Sequence, residues 1–142
     1  MTLYETFSNL TDPRRAEGTR TSVEQIFCIV TLSYLCGYTG YRPVAKFSKV
    51  HEVLFTEELG LKHGSPSHVT FRDVMKRIDE TELITSFNSW ASNYVPLEAG
   101  DWVSGDGKAL GSTVTDAQGK NQDFQAVVSM FCQGTELVRL IE

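Results

Sequence analysis

The sequence predicts an α+β chain: a helical N-terminal region over about residues 1–97, followed by the first three strands of a second domain over 98–142. Three observations carry this. Through the first two thirds, apolar residues recur at helical spacing behind recognisable caps. After Gly100 the period changes to short extended runs bounded by turn residues. No helical stretch follows those strands, so one face of their sheet has nothing to cover it, and the expectation is a chain that stops in mid-fold.

Each element can be justified in order. Leu3, Phe7 and Leu10 line one side of a short opening helix, which TDPRRAEGTR breaks with Pro13, Gly18 and polar residues. Thr21 or Ser22 can cap the next helix, and Glu24 or Gln25 can close a capping box. That helix runs from Val23 to about Cys36 with Val23, Ile26, Phe27, Val30, Tyr34 and Leu35 at helical spacing. Cys28, Ile29 and Leu32 fill much of its remaining surface, so it reads as buried nearly all round, with Gly37 as its stop. Pro43 suits the first turn of a helix carrying Val44, Phe47 and Val50, joined by Val53, Leu54 and Leu59 as one bent helix or two short ones. GLKHGSPS is a loop. Ser67 caps a helix through Ile78 whose apolar face is Phe71, Val74, Met75 and Ile78 and whose opposite side offers Arg72, Lys76 and Arg77. Asp79, with Glu82 three residues on, starts a last helix with Leu83, Ile84, Phe87, Trp90 and Tyr94 on its apolar face, and Trp90 is expected in the core. Pro96 and Gly100 end it. Trp102 to Gly105 then reads as a first extended run, Thr113 to Gln122 as a loop, and Asp123–Met130 with Glu136–Ile141 as a hairpin turning at Gln133-Gly134.

Composition narrows the function. The chain has 142 residues, 41% hydrophobic and 22% charged, the profile of an ordinary globular protein. Its formal charge of -5 gives no global basic field, so any nucleic-acid contact must come from a local patch. No signal peptide is read at Met1–Leu10, and the apolar run Ile26–Cys36 is too short to span a bilayer, so a cytoplasmic protein without membrane contact is expected. Cys28, Cys36 and Cys132 show no CxxC spacing and read as reduced thiols acting as small hydrophobes. His51, His63 and His68 share no finger-like spacing with them, which makes a zinc site a poor reading.

The stretch WVSGDGKALGS, Trp102 to Ser112, is the chemically suggestive one. Asp is a poor strand former and flanking glycines give up packing, so folding alone offers little reason for Gly105-Asp106-Gly107. Read locally, it is either a turn or a carboxylate held out where a ligand can reach it.

Several segments together resemble one family. They are DPRR at Asp12–Arg15, LCG at Leu35–Gly37, GSPSHVTFRDVMKRID at Gly64–Asp79, the tryptophan helix, and DGKALGS at Asp106–Ser112. In this order they are similar to insertion-sequence transposases of the DDE class, the H-repeat-associated group. The resemblance runs over essentially the whole chain. It implies a transposase-associated helical domain over 1–97 and, over 98–142, the beginning of an RNase H-like catalytic domain. It also implies that Asp106 is the first acid of the catalytic triad, at the end of the first strand, holding Mg²⁺ (or Mn²⁺). DDE enzymes use such carboxylates to hold two ions that serve phosphodiester cleavage and strand transfer. Lys108 is then placed to meet a phosphate. Members of the family continue to a second Asp and a Glu, whereas this chain ends at Glu142; neither Glu136 nor Glu142 lies in a matching context. The fragment is therefore expected to bind no metal tightly and to be inactive alone.

For DNA contact the candidates are Arg72, Lys76 and Arg77, placed as recognition helices place basic residues, with Arg14, Arg15 and Arg20 as a second basic cluster and Arg42, Lys46 and Lys49 as a third. A solvated basic face is the plain alternative for each. The partners implied are DNA at transposon ends and a second copy or an intact transposase. A non-catalytic DNA-binding or interaction module, a regulator or a remnant, stays open beside the enzyme.

Overall fold

The computed structural model describes residues 2–17, 19–93, 103–109, 126–132 and 137–141, the last two strands as backbone. Six helices come first: α1 (Leu3–Phe7), α2 (Val23–Leu35), α3 (Tyr41–Val50), α4 (Glu52–Leu59), α5 (His68–Arg77) and α6 (Glu80–Ser92). Three strands follow, β1 (Val103–Ala109), β2 (Ala126–Cys132) and β3 (Leu137–Ile141). The chain divides into two compact units, Met1–Phe87 and Asn88–Glu142. Among the described residues no helix is long and apolar enough to cross a membrane.

Local chemistry starts and stops the helices. Thr2 and Glu5 form a reciprocal capping box on α1, and Ser22 and Gln25 form one on α2. Thr21, the alternative cap, is instead buried one residue upstream. At the other end of α2 the Gly37 amide donates to the Tyr34 carbonyl (2.9 Å) and the Tyr38 amide to the Ser33 carbonyl (2.8 Å). This pair of bonds is a Schellman stop, and it needs Gly37 at its φ of 80°. Between α3 and α4 the chain bends at His51, φ -101° and ψ 22°, giving two helices rather than one. Ser67 caps α5, accepting from the Thr70 amide. Asp79 accepts from the Glu82 amide at 3.0 Å, as expected of a cap. The Glu82 carboxylate closes no box there; it reaches across to Thr11.

The first unit has one apolar core. Phe7, Val23, Ile26, Phe27, Ile29, Val44, Phe47, Phe55, Phe71 and Val74 belong to it, with Leu83 packed at its edge. The rings of Phe7 and Phe27 lie 5.5 Å apart, and those of Phe47 and Phe55 6.0 Å. Ser33 is buried too, and its hydroxyl donates to the Ile29 carbonyl at 2.6 Å, which satisfies it within its own helix. Burial pushes the Cys28 thiol up to about 11, so it packs as a small hydrophobe and is no thiolate nucleophile.

Three expectations about burial need correction. The last turn of α2 leaves the core: Leu32, Tyr34 and Leu35 are exposed, Leu35 to 79%. On α3 and α4 the apolar stripe does not continue either, since Val50 is 70% and Val53 72% exposed. In α6 no residue is fully buried, and Trp90 is half-buried rather than a core residue. Tyr94, Pro96, Gly100, Trp102, the segment 113–122 and the turn at Gln133-Gly134 lie outside the described residues, as does the Cys132 side chain.

In the second unit the three strands form an antiparallel meander of order β1-β2-β3. Val103 pairs with Cys132, Asp106 with Ser129 and Ala109 with Ala126, while Val128 pairs with Ile141 and Cys132 with Leu137. An α+β architecture with a helical N-terminal region therefore holds.

Candidate nucleic-acid interface

The DPRR loop is fixed by its own charges before it can do anything else. Arg14 donates from Nε to Asp12 Oδ1 (2.9 Å) and from Nη2 to Asp12 Oδ2 (2.7 Å). The same Nη2 donates to the Thr21 carbonyl at 2.8 Å, tying the loop to the start of α2. A planar guanidinium suits such a two-pronged pairing, which an ammonium cannot reproduce. The Arg14 side chain is only 13% exposed, so its charge is spent internally. From the other side, Arg77 on α5 donates to the Pro13 carbonyl and to Asp73 Oδ2 (3.2 Å). Thr11 donates from its amide (3.1 Å) and its hydroxyl (3.0 Å) to Glu82. Residues 11–14 are thus strapped to α2, α5 and α6.

Burial by itself would raise Asp12, but the hydrogen bonds and charge of Arg14 outweigh it and hold the carboxyl below its ordinary value. A depressed folded-state pKa means stability that is present above the unfolded value, near about 3.9, and is lost as pH falls through the still lower folded value. Urea midpoints measured from neutral pH down to about pH 2.5 should therefore show an acid-side loss that is smaller in Asp12→Asn. An undiminished loss in that variant would mean other carboxylates carry the acid sensitivity.

This strapping brings two of the predicted basic clusters together. Between the loop and α5 lies an open cleft of about 360 Å³, lined by Arg14, Arg15, Glu17 and Thr19 on one side and by Val69, Thr70, Arg72, Asp73 and Arg77 on the other. Arg15, Arg72 and Lys76 are exposed. Among the described residues none of these three side chains has a hydrogen-bond or ion-pair partner. Arg72 and Lys76 follow each other by one turn, about 6 Å along the helix. The third stripe, Arg42, Lys46 and Lys49, is exposed on α3, and Lys49 is paired with Glu52 at 2.7 Å. Arg20 is exposed and does not line the cleft. The joining of Arg15 to α5 was not readable from the sequence, because the Pro13–Arg77 tie spans 64 positions. The only local signal was the Asp-x-Arg spacing at Asp12 and Arg14.

Ser65 donates to Ser48 Oγ at 2.5 Å, and its amide donates to Glu52 Oε2 at 2.9 Å. Both bonds anchor the loop before α5.

Asp106 and Lys108 lie in the second unit, on β1, so they and the α5 arginines belong to separate units. Gly105-Asp106-Gly107 is not a turn: all three residues sit in the ladder with β2. Asp106 also stands in the middle of Val103–Ala109 rather than at its end. Strand alternation puts Ser104, Asp106 and Lys108 on one face, and all three are exposed. Among the described residues, a side chain added at Gly105 or Gly107 would meet nothing within 4 Å, on the face opposite Asp106. Neither glycine serves a special backbone angle. Among the described residues no group of three or more His, Cys, Asp or Glu gathers into a metal-sized cluster.

Over 88 residues the chain is 33% identical to an "uncharacterized protein in dhlA 3′ region" of Xanthobacter autotrophicus, a match covering 61% of this chain. The match spans only 30% of the length of that curated relative. No solved structure matches. A family model described as DDE_Tnp_1-associated matches residues 4–91, from α1 to the last turns of α6 and across the whole DPRR–α5 cleft. The chain belongs to this DDE_Tnp_1-associated family, which is found in DDE transposases, and is a transposase-related protein.

Proposed function

We propose that this chain is the N-terminal part of a DDE transposase, with a DNA-binding helical domain over 1–97 and the start of an RNase H-like catalytic domain over 98–142. The observation that supports it most is Asp106: an exposed carboxylate on the first strand of an antiparallel sheet, between two glycines, in a chain of this family. A strand is rigid backbone, and a functional carboxylate needs to be held rather than left on a mobile loop. Asp106 fits the role of one oxygen ligand to Mg²⁺ or Mn²⁺. A two-metal site needs further carboxylates, which come from outside the described residues. When bound, the ions supply activation of the attacking hydroxyl and stabilisation of the leaving oxygen. What the chain's own residues do is hold and orient. Asp106 supplies the anionic anchor, Lys108 two residues along the same face neutralises a phosphate, and α5 binds DNA through Arg72 and Lys76.

Transposon-end DNA is the partner of this reading, together with a second copy or an intact transposase, in the bacterial cytoplasm and at the nucleoid when bound to DNA. DNA binding without cleavage is the second reading. It is favoured by the arginine-lined cleft, which lies wholly within Met1–Phe87 and needs nothing from the sheet. One experiment separates them: a cleavage and strand-transfer assay on a DNA end. It is run with the 142-residue chain and with a polypeptide that extends it through a complete catalytic domain. The extended protein should cleave with Mg²⁺ or Mn²⁺ and stop when the metal is chelated, while the 142-residue chain should bind without cleaving. Cleavage that survives chelation, or an extended protein that binds but never cleaves, overturns the enzymatic reading.

A further inference from the structure

The basic residues do not share one role. Arg14 is clamped by Asp12, and Arg77 is held by Asp73 and the Pro13 carbonyl. With these internal pairs set aside, Arg15 and Arg72 face each other across the cleft with one remaining acid, Glu17. Two further features favour an anion there. The first turn of α5 lines the cleft through Val69 and Thr70 and carries no acidic residue, so the positive end of its dipole is not neutralised in that turn. Lys76 then extends the positive line one turn outward on the exposed side.

From this arrangement we propose that the cleft between the DPRR loop and α5 is a phosphodiester-binding site for duplex DNA. Arg15 and Arg72 make the contacts, and Arg14 and Arg77 act as positioning residues that hold the loop at the right distance from the helix. This rests on the reading that the chain binds DNA, and it goes beyond it by moving the contact surface. Arg77, on the basic face of α5, becomes a strut, and Arg15, 57 positions before Arg72 in the chain (72 minus 15), becomes a contact. Duplex DNA is favoured over a free phosphate because the cleft is open to solvent and its charge continues beyond it onto Lys76. A phosphate backbone can follow that line, whereas a single anion would use only the cleft. Phosphate contacts of this kind position a protein on DNA without reading its sequence.

The test is fluorescence anisotropy of a labelled duplex with the 142-residue chain over a salt series, with inorganic phosphate titrated in a parallel arm. The double variant Arg15→Ala/Arg72→Ala should bind about tenfold more weakly, as expected for the loss of two exposed ion pairs. Its log–log salt slope should shrink by about 2, close to one counterion per lost phosphate contact. Glu17→Gln should tighten binding by about twofold to threefold by removing the one opposing charge, and misfolding cannot mimic a gain. Circular dichroism and the thermal midpoint confirm that each variant is folded. Unchanged affinity and slope in the folded double variant overturn the cleft and leave DNA binding by the chain standing. Saturable phosphate binding without duplex binding overturns the DNA assignment in favour of a free-anion site. Absence of both kinds of binding overturns the cleft and the DNA-binding reading together.

Discussion

Replacement of Asp106 by Ala is expected to abolish DNA cleavage and strand transfer by a transposase polypeptide that carries this segment with its remaining acids. The fall should be about a thousandfold or more. Metal ions contribute several kcal/mol of transition-state stabilisation, and each 1.36 kcal/mol is a factor of about ten in rate. A ligand carboxylate cannot be replaced by a methyl group without weakening that contribution. DNA affinity should stay within about twofold, because phosphate contacts come from cationic side chains and Asp106 offers none. Asp106 is exposed on β1, so its truncation to Ala leaves no buried cavity. Rates and duplex affinity measured side by side check this. Cleavage at the parental rate by the Asp106→Ala protein would remove Asp106 from the site, and equal losses of binding and cleavage would point to a folding role.

Phe71→Ala is expected to destabilise the helical unit by about 3–5 kcal/mol, the range for a fully buried aromatic truncated in a core. Phe71 is 0% exposed and belongs to the same cluster as Val44 and Phe47 of α3 and Val74 of its own helix. The truncation leaves a cavity between α3 and α5 that close-packed neighbours fill only in part. Since a small domain has only about 5–15 kcal/mol in total, the variant should unfold at markedly lower urea. Leu35→Ala is the control: Leu35 is 79% exposed and should change stability by no more than about 0.5 kcal/mol. A Phe71→Ala midpoint as close to the parent as that of Leu35→Ala would contradict the α3–α5 core.

The same contrast shows how far the sequence reaches. By itself it determined where the helices begin and how they end, because those signals act over three or four residues. Ser22 with Gln25, Ser67, Asp79 and Gly37 all perform the capping roles their spacing announces. It also placed Phe71 and Val74 on the inner face of α5, since a period of 3.6 is written in the chain. Tertiary structure decided which apolar faces find a partner. Leu35, Val50 and Val53 continue helical stripes yet stay exposed, because burial depends on a neighbouring element and not on the stripe. The roles of the arginines were settled in the same way. Asp12 and Arg14 were close enough in the chain to pair locally, but the tie from Arg77 to the Pro13 carbonyl joins residues 64 apart. That long-range tie accompanies the cleft that Arg15 and Arg72 both line. Asp106, too, was recognised as unusual from Gly-Asp-Gly, while its place inside a strand came from a ladder with residues 126–132. Strand pairing is non-local: a turn and a strand share the same three letters until a partner supplies the hydrogen bonds.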